Sequence, residues 1–204
     1  MPSPTVYYKA TRVDGTDFRT GLVRYEVGKR VRPHPLSVGE DRILCGPGFL
    51  HAADVPAETL SGGRWPCRLF EVTGKPSAGF DSRHPHKGGF KELRVLCEVP
   101  AHLVFGPNGQ AVVRIIYRAR QITPSEGQAL VTAWDAAWDA AEDAAEDAAW
   151  SAAWSAARWR AWSAARDAAR DAALAVLVQD LITPEQFQLL YGPWASVIDT
   201  KATA

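Results

Sequence analysis

Between Thr5 and Tyr117 the apolar residues come in short runs separated by Gly, Pro and Asp, the pattern of strands joined by turns. TVYYKATR, from Thr5 to Arg12, leads into the turn pair Asp14-Gly15 and predicts an opening strand. LVRYEV (Leu22–Val27) alternates apolar and polar positions, stops at Gly28 and predicts a second. RILC (Arg42–Cys45) enters the bend Gly46-Pro47-Gly48, and RLFEVTG (Arg68–Gly74) and ELRVLCEV (Glu92–Val99) are the clearest strands, rich in branched residues. AVVRIIYRA (Ala111–Ala119) fits a strand or a helix and is read as a strand. Ala52–Leu60, acidic in its first half, predicts a short helix capped by Asp54. Ser77–Phe90, with its His84-Pro85-His86, predicts a polar loop of the kind that carries binding side chains.

The pattern changes at Thr123. Thr123-Pro124-Ser125-Glu126 reads as a capping box with Pro at the first helical position. From Pro124 to Asp180 there is no further Pro, and Gly127 is the only Gly, so the spacing predicts one helix of roughly 85 Å at ~1.5 Å per residue. Through it runs a four-residue repeat, x-Asp/Ser-Ala-Ala, with x reading Trp134, Trp138, Glu142, Glu146, Trp150, Trp154 and Arg158, then Arg166 and Arg170 after the irregular Trp159 and Trp162. Each repeat advances ~400° and so drifts ~40° around the helix, which disfavours a left-handed coiled coil. Small Ala pairs instead permit close approach on almost any side. Thr183-Pro184-Glu185-Gln186 is a second capping signature, opening a short helix that Gly192-Pro193 is expected to stop. The expected fold is therefore α+β: a small, mostly antiparallel sheet domain over 1–121, one very long Ala/Trp-rich helix over 122–182, and a short C-terminal helix and tail over 183–204.

Charge sharpens the division. The 204 residues balance at 23 basic and 23 acidic side chains, yet residues 1–120 carry a net +7 and residues 121–204 a net −7. Residues 134–149 hold six acids and no base, whereas 158–171 hold four Arg and two Asp. That order complements the helix dipole and makes two antiparallel copies electrostatically complementary. Six of the eight Trp lie between 134 and 162, and that many indoles call for cover. A homo-oligomer through residues 124–180 is expected, with Trp134, Trp138, Trp150, Trp154, Trp159, Trp162, Arg158, Arg166 and Arg170 at the interface.

No apolar run approaches the ~20 residues of a membrane span. The N-terminus lacks a basic patch followed by an apolar stretch, so neither a signal peptide nor a membrane partner is expected, and the chain is read as cytoplasmic. Cys45, Cys67 and Cys97 are odd in number and far apart, which argues against a disulfide framework or a metal knuckle. Phosphate-loop, dinucleotide-fingerprint, nucleophile-elbow and zinc-protease motifs are absent. His84 and His86 with Asp81 fall short of a metal set, and no metal is expected. The basic residues of the first part are scattered, so nucleic acid is not an expected partner.

Tyr8-Lys9-Ala10, Tyr25-Glu26-Val27-Gly28-Lys29, Cys45-Gly46-Pro47-Gly48-Phe49 with His51-Ala52, and Leu69-Phe70-Glu71-Val72-Thr73-Gly74 together resemble an uncharacterised domain family of phage and bacterial proteins, over roughly residues 5–105. Leu50 is an extra residue between Phe49 and His51 relative to that pattern. The Ala-repeat followed by Leu181–Trp194 resembles tails of actinobacterial and actinophage proteins. The order of the glycine-rich turn, His51-Ala52, the Leu69–Gly74 strand and Glu92-Leu93-Arg94-Val95-Leu96 is also similar to the core of ADP-ribosyltransferases. That resemblance implies NAD as cofactor, Glu92 as the catalytic carboxylate, Tyr8 or Lys9 on the first strand, and Phe49 or His51 lining the pocket. The first strand lacks that family's usual His or Arg, and the tyrosine of its glycine turn is missing. The sequence is therefore read first as a non-enzymatic interaction or assembly protein that needs no cofactor. Its ligand or protein partner would meet Tyr8, Lys9, Phe49, His51, His84 and His86, through the 45–52 turn and the 77–90 loop. An NAD-dependent transferase is the alternative.

Overall fold

The computed structural model describes residues 5–35, 48–78, 84–144 and 164–199. They belong to two compact units, Met1–Pro107 and Asn108–Ala204.

The first unit is a seven-stranded sheet in the order β2-β7-β4-β1-β3-β6-β5. Its strands are β1 (Tyr7–Thr11), β2 (Arg30–Val31), β3 (Leu50–Ala53), β4 (Arg68–Thr73), β5 (Pro76–Ala78), β6 (Lys87–Phe90) and β7 (Leu93–Val99), and every pairing is antiparallel. The register Lys9↔Phe70 and Ala10↔Leu69 sends alternate residues to opposite faces, and both faces are covered. On one, Tyr7, Phe70, Val72, Phe90, Leu93 and Val95 pack with Val23, Tyr25 and Val31. On the other, Ala10, Leu69, Cys67 and Val104 pack with Tyr8, Phe18, Leu60, Trp65 and Phe105.

Three sequence expectations are corrected here. Leu22–Val27 forms no strand. Val23 and Tyr25 are buried, but among the described residues the segment's one β-bridge is the isolated pair Thr16↔Arg24, outside the seven strands. Its backbone is satisfied locally: Val23 N donates to Asp17 Oδ2 (3.1 Å), Asp17 N to Val23 O (2.9 Å) and Tyr25 N to Gly15 O (2.8 Å). The helix expected over 52–60 is split, because Ala52 and Ala53 pair with β6 and only Pro56–Leu60 winds, as a 3-10 turn begun from Val55 and not from Asp54. Ala111–Ala119 lies within a helix, α1 (Gly109–Ala119), whose buried Gly109, Val112 and Ile115 recur every third residue. Branched side chains suggested a strand, and burial on one helical stripe overrode that preference. Arg42–Cys45 lies outside the described residues.

The second unit is helical: α1, α2 (Pro124–Ala144), α3 (Ala164–Leu177) and α4 (Pro184–Trp194), followed by one π-helical turn, Ala195–Asp199. The single very long helix is overturned. In a continuous helix Leu130 and Ala172 would sit ~63 Å apart at ~1.5 Å per residue. Instead α2 packs on both α3 and α4, and α1 on α3. The Ala pairs are what permit this. Ala168, Ala169, Ala172 and Ala175 are buried, and Leu130 is fully so, which means the small stripe serves packing within the chain. Both capping boxes form: Glu126 N donates to Thr123 Oγ1 and Thr123 N to Glu126 Oε2, with the same reciprocal pair between Thr183 and Gln186. Gly192-Pro193 does not stop α4. Pro193 is buried inside it, and the fully buried Trp194 closes it into the π turn. No described helix is long and apolar enough to cross a membrane.

Candidate functional site

The sheet unit contains a cleft made by its own strands. β1 and β3 are neighbours in the sheet, yet they pair only at Tyr8↔Ala53. Past that pair, Lys9 and Ala10 on one side and Leu50–Ala52 on the other line a cavity of about 560 Å³, a volume suited to a small organic molecule. Each strand is held from behind, β1 by five pairs with β4 and β3 by four with β6, so the gap is a feature of the sheet and not of a loose loop. Loop residues from Asp17 to Tyr25 form one wall, and Glu58 to Gly63 form another.

Lys9 is the central charge. It is half-buried, its ammonium lies 5.4 Å from the centre of the Tyr25 ring, and it makes no hydrogen bond or ion pair among the described residues. Loss of water lowers its pKa from 10.5 to about 8; the Asp17 charge opposes this and Lys87 adds to it. Asp17 is buried. Burial works against its charge, but donors from Thr20 N (2.7 Å), Thr20 Oγ1 (2.6 Å) and Val23 N (3.1 Å), with Lys9 nearby, hold its pKa below the usual range. The Tyr25 hydroxyl is buried without a hydrogen-bond partner, and burial together with Asp17 pushes its pKa well above the ordinary phenol value.

Of the sequence-singled residues, Tyr8, Lys9, Phe49 and His51 all line this cleft. Gly48, at φ 93°, adopts a conformation that favours glycine and turns the chain into Phe49 and β3. Lys91 fixes that corner, with its ammonium 3.8 Å from the Phe49 ring centre and donating to Gly48 O at 2.9 Å. Gly74 is required for a different reason: a Cβ there would lie 2.5 Å from Glu92 O.

His84 and His86 do not line the cleft. His86 Nδ1 is 2.8 Å from Asp54 Oδ1, while His84 O accepts from Lys87 N at the start of β6. Among the described residues no three His, Cys, Asp or Glu side chains gather as a metal set. Glu92 is also absent from the lining and is held by Arg32 (2.7 Å) and Arg30 (3.1 Å). The Arg32 hydrogen bond, with both guanidinium charges, holds its carboxyl below the usual range. Of the expected interface residues, Trp134 is half-buried on α2 and Arg170 exposed on α3. The backbones of Trp138 and Arg166 lie in α2 and α3, and Trp150, Trp154, Arg158, Trp159 and Trp162 lie outside the described residues.

Sequence reasoning missed Asp17, Glu58 and Lys87. Lys87 was findable only through the register Tyr8↔Ala53↔Lys87, which brings a β6 residue level with β1. The helical unit has its own cavity, about 420 Å³, lined by Arg114, Arg118, Tyr191, Trp194 and Asp199 among others. There Arg118 is bound to Glu126 (2.8 Å) and Tyr191 Oη donates to Asp199 (2.8 Å).

No protein-family model, curated protein or solved structure matches the chain. The functional reading therefore rests on the cleft.

Proposed function

We propose that the sheet unit is a binding module for a small organic anion with a flat apolar portion, held in the β1/β3 cleft. The observation that carries this reading is Lys9, unpaired among the described residues, on a cleft that Tyr8, Phe18, Tyr25 and Phe49 also line. An anion supplies the charge that Lys9 lacks, and the aromatic side chains cover the apolar part. Lys87 adds a second cation, and backbone on both sides of the gap offers polar groups. NAD belongs among the test ligands because the transferase resemblance places it here. The carboxylate assigned by that resemblance, Glu92, is bound to two arginines and not in the cleft, which favours binding without transfer. Ligand-observed NMR on the full chain, with NAD, ADP-ribose, nucleoside phosphates and aromatic carboxylates at millimolar concentration, tests the reading. Hits that weaken at least tenfold in Lys9→Met are expected. A library silent against the folded chain, or hits indifferent to Lys9, would overturn it.

A second reading, self-association of the helical unit, is favoured by Leu174, Leu177 and Leu181, exposed by 41%, 39% and 83% and spaced to share one side of α3 and its end. A mass above that of one chain by light scattering, falling to monomer in Leu174→Ser/Leu177→Ser, is the expected result. A monomeric wild type at 50 μM or more would end this reading.

A further inference from the structure

We propose that Lys9 is a nucleophilic amine that condenses with an aldehyde-bearing anion in the β1/β3 cleft, forming an imine and releasing water. This rests on the reading of the cleft as an anion site and adds a covalent step to it.

Three observations converge. The first is access. Lys9 and Lys87 are the lysines that line the cavity, and at about 560 Å³ the space admits a carbonyl compound beside the amine. The second is that the amine is unengaged. Lys91 is tied to Gly48 O and the Phe49 ring, whereas among the described residues Lys9 has only the Tyr25 ring beside it, at 5.4 Å. Asp17, the nearby carboxylate, spends its lone pairs on Thr20 and Val23. The third is that partial burial and the second cation, Lys87, both disfavour the ammonium form. Against the opposing Asp17 charge the pKa still falls from 10.5 to about 8, so more of the amine is neutral at pH 7 than in an ordinary lysine.

The chemistry closes without an oxidant or reductant. The nitrogen lone pair adds to the carbonyl carbon, and the carbonyl π electrons move to oxygen. The oxygen takes up the proton that nitrogen loses, giving a carbinolamine. A second proton transfer from nitrogen to that hydroxyl lets it leave as water while the C=N bond forms. Both proton transfers run between the nitrogen and the oxygen of the adduct itself or through solvent in the cleft, and the Tyr25 hydroxyl, buried without a hydrogen-bond partner, stays protonated. Lys87 also lines the cleft and supplies a second cation for the ligand's anionic group.

The test uses the full chain with pyridoxal 5′-phosphate as an aldehyde-bearing anion, borohydride to trap the imine, and peptide mapping of the six lysines. The expected result is one adduct at Lys9, at least tenfold above each of Lys29, Lys75, Lys87, Lys91 and Lys201. It should be absent in Lys9→Arg, several-fold weaker in Lys87→Met, and weaker again with pyridoxal, which lacks the phosphate. Labelling spread over the exposed lysines would overturn the proposal. Pyridoxine 5′-phosphate, which has no aldehyde, separates the two claims. If it binds in a Lys9-dependent way while pyridoxal phosphate gives no adduct, the anion site stands and the imine step fails. If neither binds nor reacts, both fail for this ligand class.

Discussion

Replacing Lys9 with Met is expected to stabilise the sheet unit while weakening ligand binding. A pKa lowered from 10.5 to about 8 corresponds to about 3 kcal/mol acting against the charged form in the fold. Lys9 is only half-buried, so solvent screening reduces that figure, and the lost cation–π contact with Tyr25 returns about 0.5–1 kcal/mol. The net expectation at pH 7 is a gain of about 1–2 kcal/mol, or roughly 5–10 °C in the melting temperature of a unit of this size. The pH dependence has a definite sign. The folded pKa lies below the unfolded one, so the unfolded chain holds the extra proton, and stability rises with pH between about 8 and 10.5. Below pH 8 the whole cost is present, and above 10.5 it is gone. Cys67 and Tyr25 also titrate at high pH, but they are shared by both proteins and largely cancel in the difference. Urea unfolding of wild type and Lys9→Met, followed by tryptophan fluorescence from pH 6 to 10.5, measures that difference. A variant that is less stable at pH 7, or a gap that stays constant from pH 7 to 10.5, would refute the electrostatic account of this cleft.

Glu126 is held by Thr123 N and Arg118 and its pKa is lowered to about 2; the stability it supplies is complete above about pH 4.5 and lost as pH falls toward 2. Glu126→Gln should flatten that limb of an acid titration followed by circular dichroism. Trp194→Ala, at a site 1% exposed, should cost about 3–5 kcal/mol in the transition of the helical unit. Gly74→Ala must displace Glu92 O or Leu93 and should cost about 1–3 kcal/mol in calorimetric melting. Glu92→Gln should leave ligand affinity unchanged by calorimetry, because the residue touches Arg30 and Arg32 and not the cleft.

The parts of this molecule legible in its sequence are those governed by neighbours along the chain. The two Thr-Pro capping boxes and the strands Arg68–Thr73 and Leu93–Val99 follow from local pattern. What misled is what depends on distant partners. Ala-rich helix propensity states that a segment winds, but not that α3 returns onto α2, since the alanines that favour a long helix equally favour close packing. Leu22–Val27 alternates like a strand, yet the Asp17 carboxylate takes up the Val23 amide that a sheet partner would need. The cleft itself had no sequence signature, because it exists only where the pairing of β1 with β3 ends.

That single pair, Tyr8↔Ala53, works as an end stop on a ruler. Each further rung zipped between Lys9 and Ala52 would shorten the site by ~3.3 Å, and unzipping the existing one would lengthen it by as much. The reach of the bound molecule is thus counted in residues of strand register. One bulge in β1 or β3, of the kind already present in β7, where Leu96 is left between the pairs Glu71↔Cys97 and Val72↔Val95, would be enough to re-gauge the site for a longer or shorter ligand without altering any side chain that recognises it.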